Sequence, residues 1–314
     1  MRLVKVCVGA VLVWVLCAAA FAAPADDPFI WLESVDGQRA RDWVREQNDY
    51  TLKLLAGDPN YADALAEAEA SLTAPDRIPY GELAAGQVYN FWQDGAHVRG
   101  LWRRTSLADY QAAEPRWEVL LDLDALSKTR NENWVWKGAL CLPPANLRCL
   151  VKLSRGGGDA IVVREFDVGA RAFVDDGFNV AEAKTDIAWV DADTVMVATN
   201  WGSETLTQAG YPRVVKAWRR GRPLRDAQTI YEAEQGDAAV ALKTVFGAGR
   251  VDRFIVRGLD FFRTELFHVD PSWRVTRVAV PEFAEFKRIH RGQVLFQLMR
   301  EWRTARSRCS LLLS

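Results

Sequence analysis

A mainly β chain, built as a β-propeller behind an α-helical N-terminal segment, is predicted by three features of this sequence. Helical periodicity is confined to the stretch before about residue 75 and does not return at length. From about residue 80, short apolar runs alternate with Gly, Asp and Pro clusters, as strands joined by turns require. One such run recurs five times, beginning at Gln87, Arg148, Thr194, Arg253 and Gln293, with starts 61, 46, 59 and 40 residues apart. A meander repeated roughly every 50 residues is the signature of propeller blades.

Residues 1–22 read as a secretory signal peptide. Arg2 and Lys5 precede an apolar stretch over residues 6–20, and Ala20-Phe21-Ala22 offers a cleavage site before Ala23, with Ala23-Pro24-Ala25 as an alternative. The apolar stretch is shorter than the roughly 20 residues a bilayer span needs, and no later segment is long enough. Trp14-Val15-Leu16 before Cys17 argues against a lipid-modified cysteine. The chain is therefore expected to be exported, to the periplasm, with no membrane attachment after cleavage. Removing Arg2 and Lys5 leaves 38 basic against 41 acidic residues, a net charge of −3. Basic residues are scattered among acids rather than gathered into a stripe, which excludes a nucleic-acid partner.

Residues 23–75 form the helical N-terminal segment. Ala40, Trp43, Val44, Tyr50 and Leu54 share one face of a helix that Asp58-Pro59 ends. A second helix follows over residues 61–72, with Tyr61, Ala64, Leu65, Ala68 and Leu72 on one face.

Residues 76–302 form the propeller. Each of the first four recurring runs leads through a turn into a second strand, at residues 99–103, 161–166, 214–218 and 264–269. A third follows at 117–121, 171–174, 228–231 and 275–280. Thirteen tryptophans, among them Trp92, Trp102, Trp117, Trp189, Trp201 and Trp218, suit packing between blades.

The residues supply no catalytic, cofactor-binding or metal site. A nucleophile elbow, G-x-S-x-G, needs two glycines four apart, and no pair in this chain is so placed. His97 falls in a turn, His268 in a strand and His290 before a turn, and none is assigned a role. Arg155-Gly156-Gly157-Gly158-Asp159 lacks the G-K-[ST] ending of a phosphate loop and reads as a hairpin turn. There is neither C-x-x-C nor H-E-x-x-H. Beyond the signal three cysteines remain. Cys141 and Cys149, flanking a turn with Leu142-Pro143-Pro144, either form a disulfide in an oxidising compartment or stay as buried thiols, and Cys309 is left over.

The chain resembles the N-terminal part of the prolyl oligopeptidase family of serine peptidases. The resemblance rests on Asp27-Pro-Phe-Ile-Trp-Leu-Glu33 with Trp43, Val44, Gln47 and Asn48, and on Asn90-Phe-Trp-Gln-Asp94 followed by Arg99-Gly-Leu-Trp-Arg-Arg-Thr105. It continues through residues 117–126, Glu132-Asn-Trp-Val-Trp-Lys-Gly138, Cys141-Leu-Pro-Pro144, Leu153-Ser-Arg-Gly-Gly157, Val163-Arg-Glu-Phe-Asp167 and Gly210-Tyr-Pro-Arg-Val-Val215. It implies a seven-bladed propeller that admits short peptides to a Ser, Asp and His triad on a C-terminal α/β-hydrolase domain. Measured against that pattern, the chain is expected to hold an incomplete propeller of about four to five blades and to lack the hydrolase domain. Its lineage would be a serine-type endopeptidase, and the chain alone would be inactive.

Residues 303–314 form an atypical tail, Arg- and Leu-rich, without a turn or alternation, as a frameshifted reading would give. An arc of blades with an uncovered face is expected to be poorly soluble or oligomeric. The alternative is a self-sufficient periplasmic propeller that closes at five blades and acts as a binding module through its Trp-rich rims.

Overall fold

The fold was analysed in a computed structural model that describes residues 27–309 apart from 35, 248, 291–292 and 304–307. The expected signal peptide therefore lies outside the described residues. The chain divides into two compact units, Met1–Leu72 and Thr73–Ser314.

In the first unit, helix α1 (Gln38–Ala56) is followed by α2 (Tyr61–Thr73). Asp58 accepts a hydrogen bond from the Asn60 amide and turns the chain between them. A short 3₁₀ turn at Ile30–Glu33 sets Trp31 edge-on to Trp43 at 6.2 Å, with Arg39 stacked 4.0 Å over the Trp31 ring. On the apolar stripe of α1, Ala40 is buried, while Trp43, Val44, Tyr50 and Leu54 are exposed.

The second unit is a succession of antiparallel meanders. Blade 1 comprises β1 (Glu82–Ala84), β2 (Gln87–Trp92), β3 (Leu101–Ser106) and β4 (Glu118–Asp122), with the one-turn helix α3 (Leu107–Tyr110) between the last two. Helix α4 (Leu123–Arg130), capped by the Asp122 carboxylate on the Ala125 amide and ended by Asn131 at φ +52°, leads into blade 2. Blade 2 holds β5 (Trp134–Cys141), β6 (Arg148–Arg155) and β7 (Ile161–Asp167), with β8 (Ala172–Phe173) and β9 (Asn179–Ala183) sharing its outer edge.

Blade 3 is β10 (Asp186–Asp191), β11 (Thr194–Ala198), β12 (Val214–Arg219) and β13 (Gln228–Glu232). Blade 4 is β14 (Ala239–Gly247), β15 (Arg250–Gly258), β16 (Thr264–Val269) and β17 (Val275–Arg277). The hairpin β18 (Ala284–His290) and β19 (Gln293–Leu298) follows. The described residues thus hold three four-stranded blades, a five-stranded second blade and one further hairpin ahead of the tail, the mainly β propeller that the repeat predicted. In the tail, β20 (Trp302–Arg303) pairs with β21 (Arg308–Cys309), which the lack of alternation had not suggested; two-residue strands need only backbone pairing. Residues 310–314 lie outside the described residues.

The repeat needs one correction. Its five starting runs are the second strand of each meander, and the strand before each, from β1 to β18, was not recognised. These first strands are irregular in sequence. Five-residue β11 is wholly buried and reads clearly as a strand, whereas β5 is broken by a bulge at Lys137-Gly138 and β14 carries Lys243 and Thr244. Only the pairing shows that each blade begins there.

Burial is organised in slabs between blades rather than in one central core. Trp102, Leu123, Trp134, Val151 and Phe166 fill the slab between blades 1 and 2. Val163, Phe178, Trp189, Val197 and Trp218 fill that between blades 2 and 3, and Met196, Val215, Leu242 and Ile255 that between 3 and 4. Alternation along each strand sends successive side chains to opposite slabs, so every inner blade is apolar on both faces. Trp102, Trp189 and Trp218 do pack between blades, but Trp92 and Trp117 lie on the other face of blade 1. There they sandwich the Arg103 guanidinium at 4.5 and 4.4 Å.

Candidate functional site

In a meander, the strand that begins each blade is the one nearest its neighbours' first strands, and β10 lies directly against β14. The backbone hydrogen bonds that these strands cannot complete within their own blades are taken up across blades. The Trp189 indole N–H in β10 donates to the Leu140 carbonyl in β5 at 2.8 Å, and the Leu242 amide in β14 donates to the Asp186 carboxylate in β10 at 2.7 Å. Lys152 of β6 stands 3.7 Å from the same carboxylate. First strands of three blades are thereby tied together along one axis.

Along that axis runs a groove of about 460 Å³, walled by Glu82 and Ala84 of blade 1, the 138–141 stretch of blade 2, and Thr244 and Phe246 of blade 4. A second space of about 270 Å³ continues along β14 between Leu140, Trp189 and Phe286. The walls combine aromatic rings with polar groups, among them Glu82, Asn90 and Asn146. Phe91 stacks on Trp136 at 5.2 Å, Trp136 meets Trp102 at 5.4 Å, and Trp102 meets Tyr89 at 6.1 Å. The Thr244 hydroxyl is buried without a hydrogen-bond partner among the described residues. A passage that offers aromatic surface beside polar groups can hold an extended peptide through side-chain contact, and it is too narrow for a folded domain.

Two local features shape the blade 2 wall. Gly138 adopts φ +109°, a backbone open to glycine and strained for other residues, and the bulge there turns the strand so that Lys137 reaches the Gly157 carbonyl at 3.0 Å. Cys141 and Cys149 stand opposite each other in the β5–β6 register and are joined by a disulfide. The bond anchors the loop that carries Pro143 and Asn146 into the groove.

Neither His97 nor His268 lines the groove. His97, in the β2–β3 turn, has its Nδ1 3.0 Å from Asp94 Oδ1. The Asp94 carboxylate also accepts from the Ala96 and His97 amides and the Trp92 indole. Burial pushes its pKa up, but these hydrogen bonds outweigh that and hold it near 2. His268 in β16 sits edge-on to Phe254 at 5.5 Å. His290 ends β18, and its side chain lies outside the described residues. Gly156 and Gly157, both at positive φ, make the β6–β7 hairpin turn that the sequence suggested. No group of three potential metal ligands occurs among the described residues.

Of the groove residues, Asn90, Phe91, Trp102, Trp136, Gly138, Cys141 and Pro143 fall in runs or motifs singled out from sequence, though not as lining of a common space. Glu82, Ala84, Thr244 and Phe246 belong to first strands, whose only sequence signal is their place one turn upstream of a recurring run.

Comparison with known proteins gives a consistent family. Residues 18–250 match the family described as prolyl oligopeptidase, N-terminal beta-propeller domain. An uncharacterized peptidase of Sinorhizobium fredii is 40% identical over 289 residues, covering 90% of this chain and 40% of that protein. One of Rickettsia prowazekii is 28% identical, covering 87% of this chain and 40% of that protein. The solved structure of a post-proline cleaving enzyme from Rickettsia typhi superposes with a TM-score of 0.82 at 26% identity, over 90% of this chain and 42% of that one. Oligopeptidase B from Leishmania major shares the fold, with a TM-score of 0.62 at 12% identity, over 86% of this chain and 40% of that one. This chain spans about 40% of the length of the curated relatives it matches.

Proposed function

The chain belongs to the prolyl oligopeptidase family, as its N-terminal propeller domain, and from that membership we propose that it is the gate of a post-proline serine peptidase, admitting short peptides along the axial groove. The observation that carries this reading is the convergence of first strands from blades 1, 2 and 4 on one narrow passage of about 460 Å³, walled by aromatic rings and polar groups. Such a passage discriminates by cross-section, since an extended chain fits where a folded domain does not. Hydrolysis then belongs to an α/β-hydrolase domain that partners the propeller, and the residues of this chain act only by admission.

Export to the periplasm is part of the same proposal. The Cys141–Cys149 disulfide supports it, because such bonds persist in oxidising compartments.

The test is to incubate the full chain with a Gly-Pro p-nitroanilide, and separately with a photoreactive Gly-Pro peptide. No p-nitroaniline should be released, and the label should fall on β1, β5 and β14. Hydrolysis above the buffer blank, or labelling confined to outer strands, overturns the reading.

A further inference from the structure

Connections between third and fourth strands all lie at one end of the meander, opposite the connections between blades. At that end, between blades 3 and 4, is a groove of about 340 Å³, lined by Arg219, Arg222, Asp226, Gln228 and Trp273. We propose that this groove binds a carboxylate-bearing peptide, its acidic group gripped by Arg219 and Arg222 and its apolar part resting on Trp273. That the ligand is a peptide rests on the reading above; the anionic chemistry does not.

Two exposed arginines alone would be a solvated turn. Here the turn is fixed from two sides. Gly221 at φ +71° makes it tight, and the Trp218 indole donates to the Arg222 carbonyl at 2.7 Å. Between the two arginines, Arg220 is locked onto the buried Glu165 carboxylate at 2.8 and 3.0 Å. The backbone that carries both guanidinium groups is therefore held before any ligand arrives, which lowers the entropic cost of binding. Neither side chain has a hydrogen-bond or ion-pair partner among the described residues. Planar guanidinium donors match a carboxylate in paired geometry.

The opposite wall is also unusual. Trp273 adopts φ +69°, a strained conformation for a tryptophan, and such strain gathers at functional sites. Asp270 holds it there: its carboxylate accepts from the Ser272 amide and hydroxyl and from the Arg274 amide. Against the Trp273 ring, at 4.9 Å, lies the guanidinium of Arg253, a residue only 5% exposed whose Nε has no acceptor among the described residues. Among the described residues Asp226 is the only carboxylate lining the groove, and its neighbour Arg225 stands 3.9 Å away, so the lining itself is net positive. An anion entering it is attracted by the two exposed guanidinium groups of Arg219 and Arg222, whereas Arg253, behind Trp273, is offset by the carboxylates of Asp270 and Asp191.

The experiment is isothermal titration of the full chain with N-acetyl-Glu-Glu-amide, with N-acetyl-Gln-Gln-amide as the neutral analogue and R219Q/R222Q as the variant. Both arginines are exposed, so the variant should keep its unfolding midpoint. The acidic peptide should bind the parent chain and lose about three- to tenfold in affinity in the variant, as expected for two solvent-facing charge contacts. Binding should also weaken with added salt. Equal binding of the neutral analogue, unchanged affinity in R219Q/R222Q, or no binding to the parent chain overturns the proposal. Because binding rather than hydrolysis is read, at a groove separate from the axial one, this result is independent of the photolabelling outcome.

Discussion

Arg220 of blade 3 grips Glu165 of blade 2 through two parallel hydrogen bonds of 2.8 and 3.0 Å, one to each carboxylate oxygen. The Glu165 side chain is fully buried, and the outer edge of blade 2 opens around it between β8 and β9. There the Phe178 amide donates to Oε2 at 2.9 Å. Gly177 lies so close that a Cβ would meet the Glu165 Cβ at 2.8 Å. One carboxylate thus ties two blades and shapes a loop.

Removing Arg220 should therefore be far more costly than removing Arg148, which reaches the same carboxylate only at 3.5 Å and is 43% exposed. Arg220→Met leaves a buried charge with one amide and a distant cation, and should destabilise by about 3 kcal/mol or more. Arg148→Met should cost under about 1 kcal/mol. Urea unfolding of the two variants decides it; similar losses would show that the parallel hydrogen bonds do not carry the contact.

The Cys141–Cys149 bond closes a very short loop, so reduction should cost roughly 2 kcal/mol through regained freedom of the unfolded chain. The melting temperature should fall on adding dithiothreitol, and the double variant C141S/C149S should melt at the reduced value and ignore the reductant. Alkylation of Cys141 in the untreated chain would contradict the pairing.

Asp94 supplies an acid dependence whose sign is fixed. Its folded pKa, about 2, lies below its ordinary 3.8, so its contribution is full above 3.8 and is lost as pH falls towards 2. Asp94→Asn should be less stable than the parent at pH 7 and should show a shallower loss across that window. Parallel acid titrations of equal slope would count against the hydrogen-bond cluster.

At the groove wall, Gly138→Ala should destabilise by about 1 kcal/mol, since φ +109° disfavours any side chain. Gly95→Ala, where the backbone has no such angle, should be close to neutral. A Cβ at either position meets nothing within 4 Å, so comparing their unfolding midpoints isolates the backbone.

The sequence by itself determined the class of fold, because strand and helix periods are local. The runs from Gln87, Arg148, Thr194, Arg253 and Gln293 fall on β2, β6, β11, β15 and β19, and the face of residues 40–54 falls on α1. Family membership was likewise written in short motifs such as Asp27-Pro-Phe-Ile-Trp-Leu-Glu33. What only tertiary structure decided is which residues share a space. The axial groove draws Glu82, Gly138 and Thr244 from three blades, and the distal groove sets Arg219 beside Trp273. The buried carboxylate of Glu165 finds Arg220 across 55 residues of chain. Periodicity reports whether a side chain is buried, but the partner it is buried against depends on how blades stack, and that is a property of long-range packing rather than of any local run.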